Sequence, residues 1–500
     1  MVKKQRTIII ICLSVIAVLA IVWFAVISPL VRSGGTDEAE PPELLDGELI
    51  GTSNRIMMFE HIEKAEIDSI KVHNEYGDFE IYRTGAENFY FKGLEGVPYS
   101  NETLSGIITA VGYPLTMDRV ETDCKDLSEF GLSEKDSPSY YIIKKLDGTE
   151  YKVYIGKALL SGGGYYTRVD GRNAVYIMDT TYQKTVLCSV YNLLSPTLGY
   201  PISTNPYALI DDFTVMKKNS EGVCERFLWI DKIDDAQNSL SVNFKMLFPN
   251  DYPVNTTKYA DAMTVIGSLA GDKVLEAEAV GEEFNFDILK EKYGIDVANP
   301  EYEIDYSVNS IKIMILFSKP DDNGDMNAYT SLYNMVVKIN KSEIALLDWD
   351  LIDWVDDTVY LVDINKVSEL TIKSEQINVS FFLEDENTDL KVRIGENGKV
   401  FDKDELANFR RFYASLLLQV RRGYTDSDST DESKLMATIF ISFRDGTEKE
   451  YKYYAYSTRR CFYTINGKGE FYMLRDELQK ILNDAERVVN GEQVDYEDKN

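Results

Sequence analysis

The sequence predicts an α+β protein: a single N-terminal transmembrane helix, then three tandem antiparallel β-rich units, each with one amphipathic helix. Residues 8–27 are an uncharged apolar run, and one strand-like pattern occurs three times further on. Each occurrence is followed by an apolar stripe at helical spacing. A chain of 500 residues exceeds one ordinary core and suits about three domains. Its 33 Tyr and 22 Phe against 13 Pro favour pleated, half-buried surfaces.

The apolar run comes first. At about 1.5 Å per residue, residues 8–27 reach about 30 Å, the thickness of a bilayer's hydrocarbon core. Lys3, Lys4 and Arg6 precede it, which keeps residues 1–7 cytoplasmic and places the bulk outside the cytoplasm, in a single-pass cell-membrane protein. Trp23 and Phe24 stand near the far end, where rings favour the interface. A cleaved signal peptide would have a shorter apolar core and a small-residue cleavage site; here the run ends in Ile-Ser-Pro-Leu-Val-Arg. Residues 28–59 are expected to form a linker, with the acidic, Pro/Gly-containing stretch 33–48 as a flexible stalk.

The three units follow at 60–195, 205–347 and 358–485, with an acidic tail at 486–500. Each opens on an apolar triple: Ile67, Ile70, Val72; Ile210, Phe213, Val215; Val367, Leu370, Ile372. A β-prone stretch comes next (78–83, 227–232, 379–385), and the period of two predicts strands with one buried face. Leu104, Ile107, Ile108 and Val111 then mark one stripe of a helix started by Asn101–Thr103, matched by 257–269 and 404–418. Asp147-Gly148 and Asp445-Gly446 predict tight hairpin turns, as do Asp170-Gly171 and Asn466-Gly467 within matching Tyr-Thr strands. The first two units also share Phe130-Gly131-Leu132 to Pro138 and Tyr293-Gly294-Ile295 to Pro300, a short helix stopped by Gly before a strand.

Taken together, the basic N-terminus with its anchor, the 130–138 segment, the strand ending Tyr154-Ile155-Gly156, and Tyr165-Tyr166-Thr167 running to Val175-Tyr176 resemble the family called "domain of unknown function 4340". The resemblance covers about 60–195 well, the second unit partly and the third weakly. Family members usually show a Trp in the early strand, where this chain has Phe89 and Tyr90. The resemblance implies a membrane-anchored protein associated with ABC-type transporter parts of the gliding-motility or auxiliary kind. It carries over no functional residues.

Chemistry is narrowed mostly by exclusion. Net charge is −30, and residues 1–32 hold four bases and no acid, leaving −34 on the rest. Such a body is repelled by nucleic acid and anionic headgroups. Only His61 and His73 occur, which excludes a multi-histidine metal site. The chain has no CxxC, and the four cysteines after Cys12 are too scattered for a disulfide framework, although an oxidising compartment would allow them to pair. No P-loop, GxSxG or SxxK pattern occurs, and no cofactor is implied. The stretch 319–327 lacks the ligand spacing of a calcium loop, and Ser161–Gly164 leads into a strand rather than a helix; both are expected to be turns. The connector 348–357 contributes the candidate ligand or partner surface Trp349, Asp350, Asp353 and Trp354. The expected function is a non-enzymatic accessory or scaffold of an envelope or ABC-type transport system. The alternatives are an envelope-polymer hydrolase using carboxylates and an extracytoplasmic solute-binding protein.

Overall fold

The computed structural model describes residues 42–85, 88–232, 244–425 and 430–494. Residues 1–7, the expected anchor at 8–27, the first part of the linker and residues 495–500 lie outside them. Among the described residues no helix is long and apolar enough to cross a membrane. The chain divides into two compact bodies: one runs up to Lys92 and again from Asn101 to Leu193, the other holds Gly93–Ser100 with Leu194 onward.

Three eight-stranded sheets make up these bodies. The first contains β1 (Ile67–Asn74), β2 (Gly77–Thr84), β3 (Asn88–Phe91), β4 (Asp118–Glu121), β5 (Ser139–Lys145), β6 (Glu150–Ala158), β7 (Tyr165–Val169) and β8 (Val175–Met178). The second contains β9 (Ile210–Lys218), β10 (Cys224–Lys232), β11 (Phe244–Phe248), β12 (Lys273–Ala277), β13 (Tyr302–Val308), β14 (Ile311–Phe317), β15 (Asp325–Thr330) and β16 (Met335–Asn340). The third contains β17 (Val367–Ser374), β18 (Asn378–Glu384), β19 (Lys391–Ile394), β20 (Gly423–Tyr424), β21 (Leu435–Phe443), β22 (Glu448–Ala455), β23 (Arg460–Ile465) and β24 (Phe471–Leu474). The spatial order is β3-β2-β1-β5-β6-β7-β8-β4, and the other two sheets repeat it with every number raised by eight or sixteen. Neighbouring strands are antiparallel in each sheet.

One inward row explains why the three sheets match. Val72, Tyr141, Val153 and Val169 are paired in turn across β1, β5, β6 and β7. Val215, Ile304, Ile315 and Thr330 occupy the same places in the second sheet. In the third they are Ile372, Ile439, Tyr451 and Ile465. All are buried; the Thr330 hydroxyl donates to the Leu198 carbonyl at 2.8 Å, and the Tyr141 hydroxyl lies 3.0 Å from that of Tyr182.

A helix crosses this face in each sheet, because the third and fourth strands sit on opposite edges. Eight strands spaced by about 4.8 Å separate the edges by roughly 34 Å along the sheet. The connection carries α1 (Asn101–Gly112) in the first sheet, α2 (Thr256–Gly267) in the second and α4 (Lys403–Leu417) in the third; α3 (Phe286–Tyr293) lies between α2 and α4 in sequence. The stripe Leu104, Ile107, Ile108 and Val111 of α1 is buried. In the second sheet Tyr259 of α2 meets Phe213 edge-on at 6.2 Å; in the third, Phe409 of α4 lies 5.1 Å from Phe381. At the hairpins Asp147 accepts the Thr149 N–H at 2.9 Å and Asp445 the Thr447 N–H at 2.9 Å. Gly148 and Gly446 take φ values of +91° and +84°, which any side chain would strain.

Three expectations need correction. The third unit carries two helices, not one: α4 and α5 (Arg475–Asn490). The second holds its expected α2, the short helix expected before Gly294 as α3, and one further helical turn at Pro206–Leu209. Helix α5 also absorbs the start of the expected acidic tail at 486–490, because Leu478, Ile481, Leu482, Ala485 and Val488 form one buried stripe. It packs on α4, where buried Ser415 bonds Asp484 at 2.9 Å. The second half of the expected linker is likewise structured: Leu49–Ile50 pairs with Ile56–Met57, and Met58 and Phe59 are buried. Buried Glu48 pins this stretch by pairing with Arg119 and accepting the Tyr176 hydroxyl at 2.6 Å.

Cys124, Cys188, Cys224 and Cys461 are free thiols, and all but Cys224 are buried. Burial pushes the Cys188 and Cys224 thiols up to about 11 and Cys461 up to about 12.

Truncating the inward row should be costly and truncating its outward neighbour should not. Ile439→Ala should lose about 2–5 kcal/mol in a urea titration, by cavity formation. Thr438→Ala, on the same strand but the opposite face, should stay within about 0.5 kcal/mol of the parent. Equal losses would show that the two faces are not divided as described.

Candidate functional site

The connector residues singled out from sequence come together, but as a joint. Asp350 caps the helical turn Leu351–Trp354 and Asp353 is its third residue; the Asp350 N–H donates to the Asp353 carboxylate at 3.0 Å. Trp354 is fully buried against Phe213, with ring centres 5.8 Å apart, so it offers no face to a ligand and is corrected from surface to core. Its indole N–H has no partner among the described residues. Trp349 is partly exposed, sits edge-on to Trp354 at 5.0 Å, and carries the Lys258 ammonium 4.5 Å above its ring. Lys217 donates to the Trp349 carbonyl at 2.7 Å, and burial brings its amine down to about 8 despite the nearby Asp350 and Asp348.

The third sheet's side chains grip the same turn. Buried Arg421 donates to the carbonyls of Ile352 at 2.7 Å and Asp356 at 2.9 Å, and to that of Val355. Tyr424 accepts the Ile352 N–H at 2.8 Å. A second strap runs from the loop after β11. Asn250 donates to the Lys468 carbonyl at 2.9 Å, Asp251 pairs with Lys449 at 2.9 Å, and Tyr252 bonds Glu470. These contacts explain why the second and third sheets share one body.

The outward faces hold the chemistry that differs between copies. In the first sheet Asp78, His73, Tyr140, Tyr154 and Arg168 stand side by side on five strands. The His73 ring is 2.6 Å from the Asp78 carboxylate and stacks on Tyr140 at 4.9 Å. Lys152 lies 3.9 Å from the Tyr140 ring centre, and Arg168 lies 4.1 Å above Tyr154. The cations already occupy these ring faces. The same places hold Arg226, Met216, Glu303, Leu316 and Tyr329 in the second sheet. In the third they hold Asn378, Lys373, Thr438, Lys452 and Thr464.

Glycine-stopped segments cover part of two outward faces. Leu127, Phe130 and Leu132 pack with Tyr154, Tyr166 and Val175 in the first. Leu289, Tyr293 and Ile295 pack with Leu316, Tyr329 and Val336 in the second. At 319–327 Asp321 accepts the N–H groups of Asn323 at 2.8 Å and Asp325 at 3.0 Å, so its carboxylate holds a turn. Among the described residues no cluster of His, Cys, Asp and Glu could hold a metal ion. The chain matches no protein family model, no curated protein and no solved structure.

Two measurements test this geometry. Arg421→Met should cost about 2–4 kcal/mol, because several backbone carbonyls lose a charged donor in a buried setting. It should also split one unfolding transition of the second body into two; an unchanged melt would remove Arg421 from the joint. The second concerns Glu303, whose carboxyl burial pushes up to about 7, with Asp305 adding to the rise. A carboxyl raised this way contributes full stability below its ordinary 4.5 and loses it as pH climbs through 7. Glu303→Gln should therefore melt above the parent at about pH 8 and coincide with it near pH 4. A gap that persists in acid would point to packing instead.

Proposed function

We propose that the chain is a non-enzymatic scaffold or accessory component, anchored by residues 8–27 and displaying its modules outside the cytoplasm to partner proteins of an envelope or ABC-type transport system. The observation that carries this reading is the contrast between faces. Four inward positions, twelve residues in all, keep one role in the three sheets, while the outward positions beside them differ in charge, size and polarity. Repeating a fold while varying one face suits the display of several distinct contacts on one chain. The apolar run and the basic residues before it add the membrane setting. The connector carboxylates give no support to hydrolysis, since Asp353 caps the turn that Arg421 grips.

The test is site-specific photocrosslinking of the full chain in its own membrane. A crosslinker replacing Lys71 or Lys373, both on outward faces, should capture a discrete membrane protein from each sheet. Capture of no membrane protein from either position would overturn the reading.

A further inference from the structure

The first module holds a cleft that neither its core nor its outward ladder uses. The ends of β1, β5, β6 and β7 and the segment 183–192 enclose about 490 Å³, within the range of small-molecule sites. One wall is pinned. Buried Asn74 donates to the carbonyls of Val186 at 2.8 Å and Cys188 at 2.9 Å, and accepts the Tyr76 N–H at 2.8 Å. A site held this way loses little freedom when it binds.

The opposing polar groups are unspent. The side chains of Ser139, Tyr165, Gln183 and Asn192 line the cleft and make no hydrogen bond or ion pair among the described residues. Two amides and two hydroxyls converging on one space can each donate and accept. No Lys or Arg lines the cleft, and Glu75 is its one carboxylate, so an anionic ligand has no counter-charge there. Tyr76, 62% exposed, stands at the rim with Ile155 and Leu187 nearby, supplying apolar surface next to the polar groups.

A ligand matching this lining carries no negative charge, is rich in vicinal hydroxyls and is apolar on one face. We propose that the cleft binds a neutral saccharide unit. Gln183 and Asn192 pair with adjacent hydroxyls through donor and acceptor together. Ser139 and Tyr165 take single hydroxyls, and the C–H face of the ring lies towards Tyr76. This assignment stands apart from the accessory role, since a module can hold a sugar whichever proteins its outward faces meet.

The test is saturation-transfer difference NMR on the purified full chain with maltohexaose, cellohexaose and tri-N-acetylchitotriose, and with oligogalacturonate as the anionic comparison. At least one neutral probe should bind at about millimolar or better, and oligogalacturonate should not. The double variant Gln183→Ala with Asn192→Ala should weaken that binding at least about tenfold at unchanged circular dichroism. Ser139→Ala with Tyr165→Phe, which removes two hydroxyls and little volume, should weaken it too. The proposal fails if no neutral probe binds by about 10 mM, if both double variants bind like the parent, or if oligogalacturonate binds equally well.

Discussion

Everything in this protein depends on the inward row that runs across the four central strands of each sheet. A strand shifted by one residue would turn Tyr141, Ile304 or Ile439 towards the opposite face and bring a polar or charged neighbour inward. Burial of the row therefore fixes the register of the central strands, and the hairpins follow from that register. The crossover helix is the second consequence. With the third and fourth strands on opposite edges, the chain must cross the sheet, and the amphipathic helix lies over the row it helps to bury.

Once the inner face is fixed, the outer face is free to differ. The places taken by the His73–Tyr140–Tyr154 ladder hold Met216, Glu303 and Leu316 in the second sheet, and the strand pairing is the same. Even the covered part of that face follows one plan, with a glycine-stopped segment laid over Tyr154 in one module and over Leu316 in another. The joint between the second and third sheets is built from another kind of contact. Backbone carbonyls of the connector face an arginine there, while its Trp354 side chain packs into the core against Phe213.

Much of this was legible in the sequence, for a physical reason: strands, turns and helix stripes are local. The apolar triples become β1, β9 and β17, the Asp-Gly pairs become hairpin turns, and the stripe at 104–111 becomes α1. Strand order was not legible, since it depends on pairings far apart in the chain, such as Val72 with Tyr141 and Ile210 with Val308. The order of residues 42–59 was hidden likewise, because Glu48 is held by Arg119 and Tyr176, far along the chain. Helix α5 did carry a readable stripe from Leu478 to Val488, masked by the acidic surroundings that suggested a tail. Trp354 and the cleft show the same limit. A tryptophan among aspartates looks like surface until Phe213 is placed beside it, and Ser139, Tyr165, Gln183 and Asn192 are neighbours only after folding.

The raised thiols have a consequence for their reactivity. A thiol with a pKa of about 11 exists as thiolate in roughly one molecule in ten thousand at neutral pH, and the thiolate is the species that exchanges. Thiol exchange at Cys188, Cys224 and Cys461 is correspondingly disfavoured. No disulfide links the described residues, so their three sheets take their shape from noncovalent contacts.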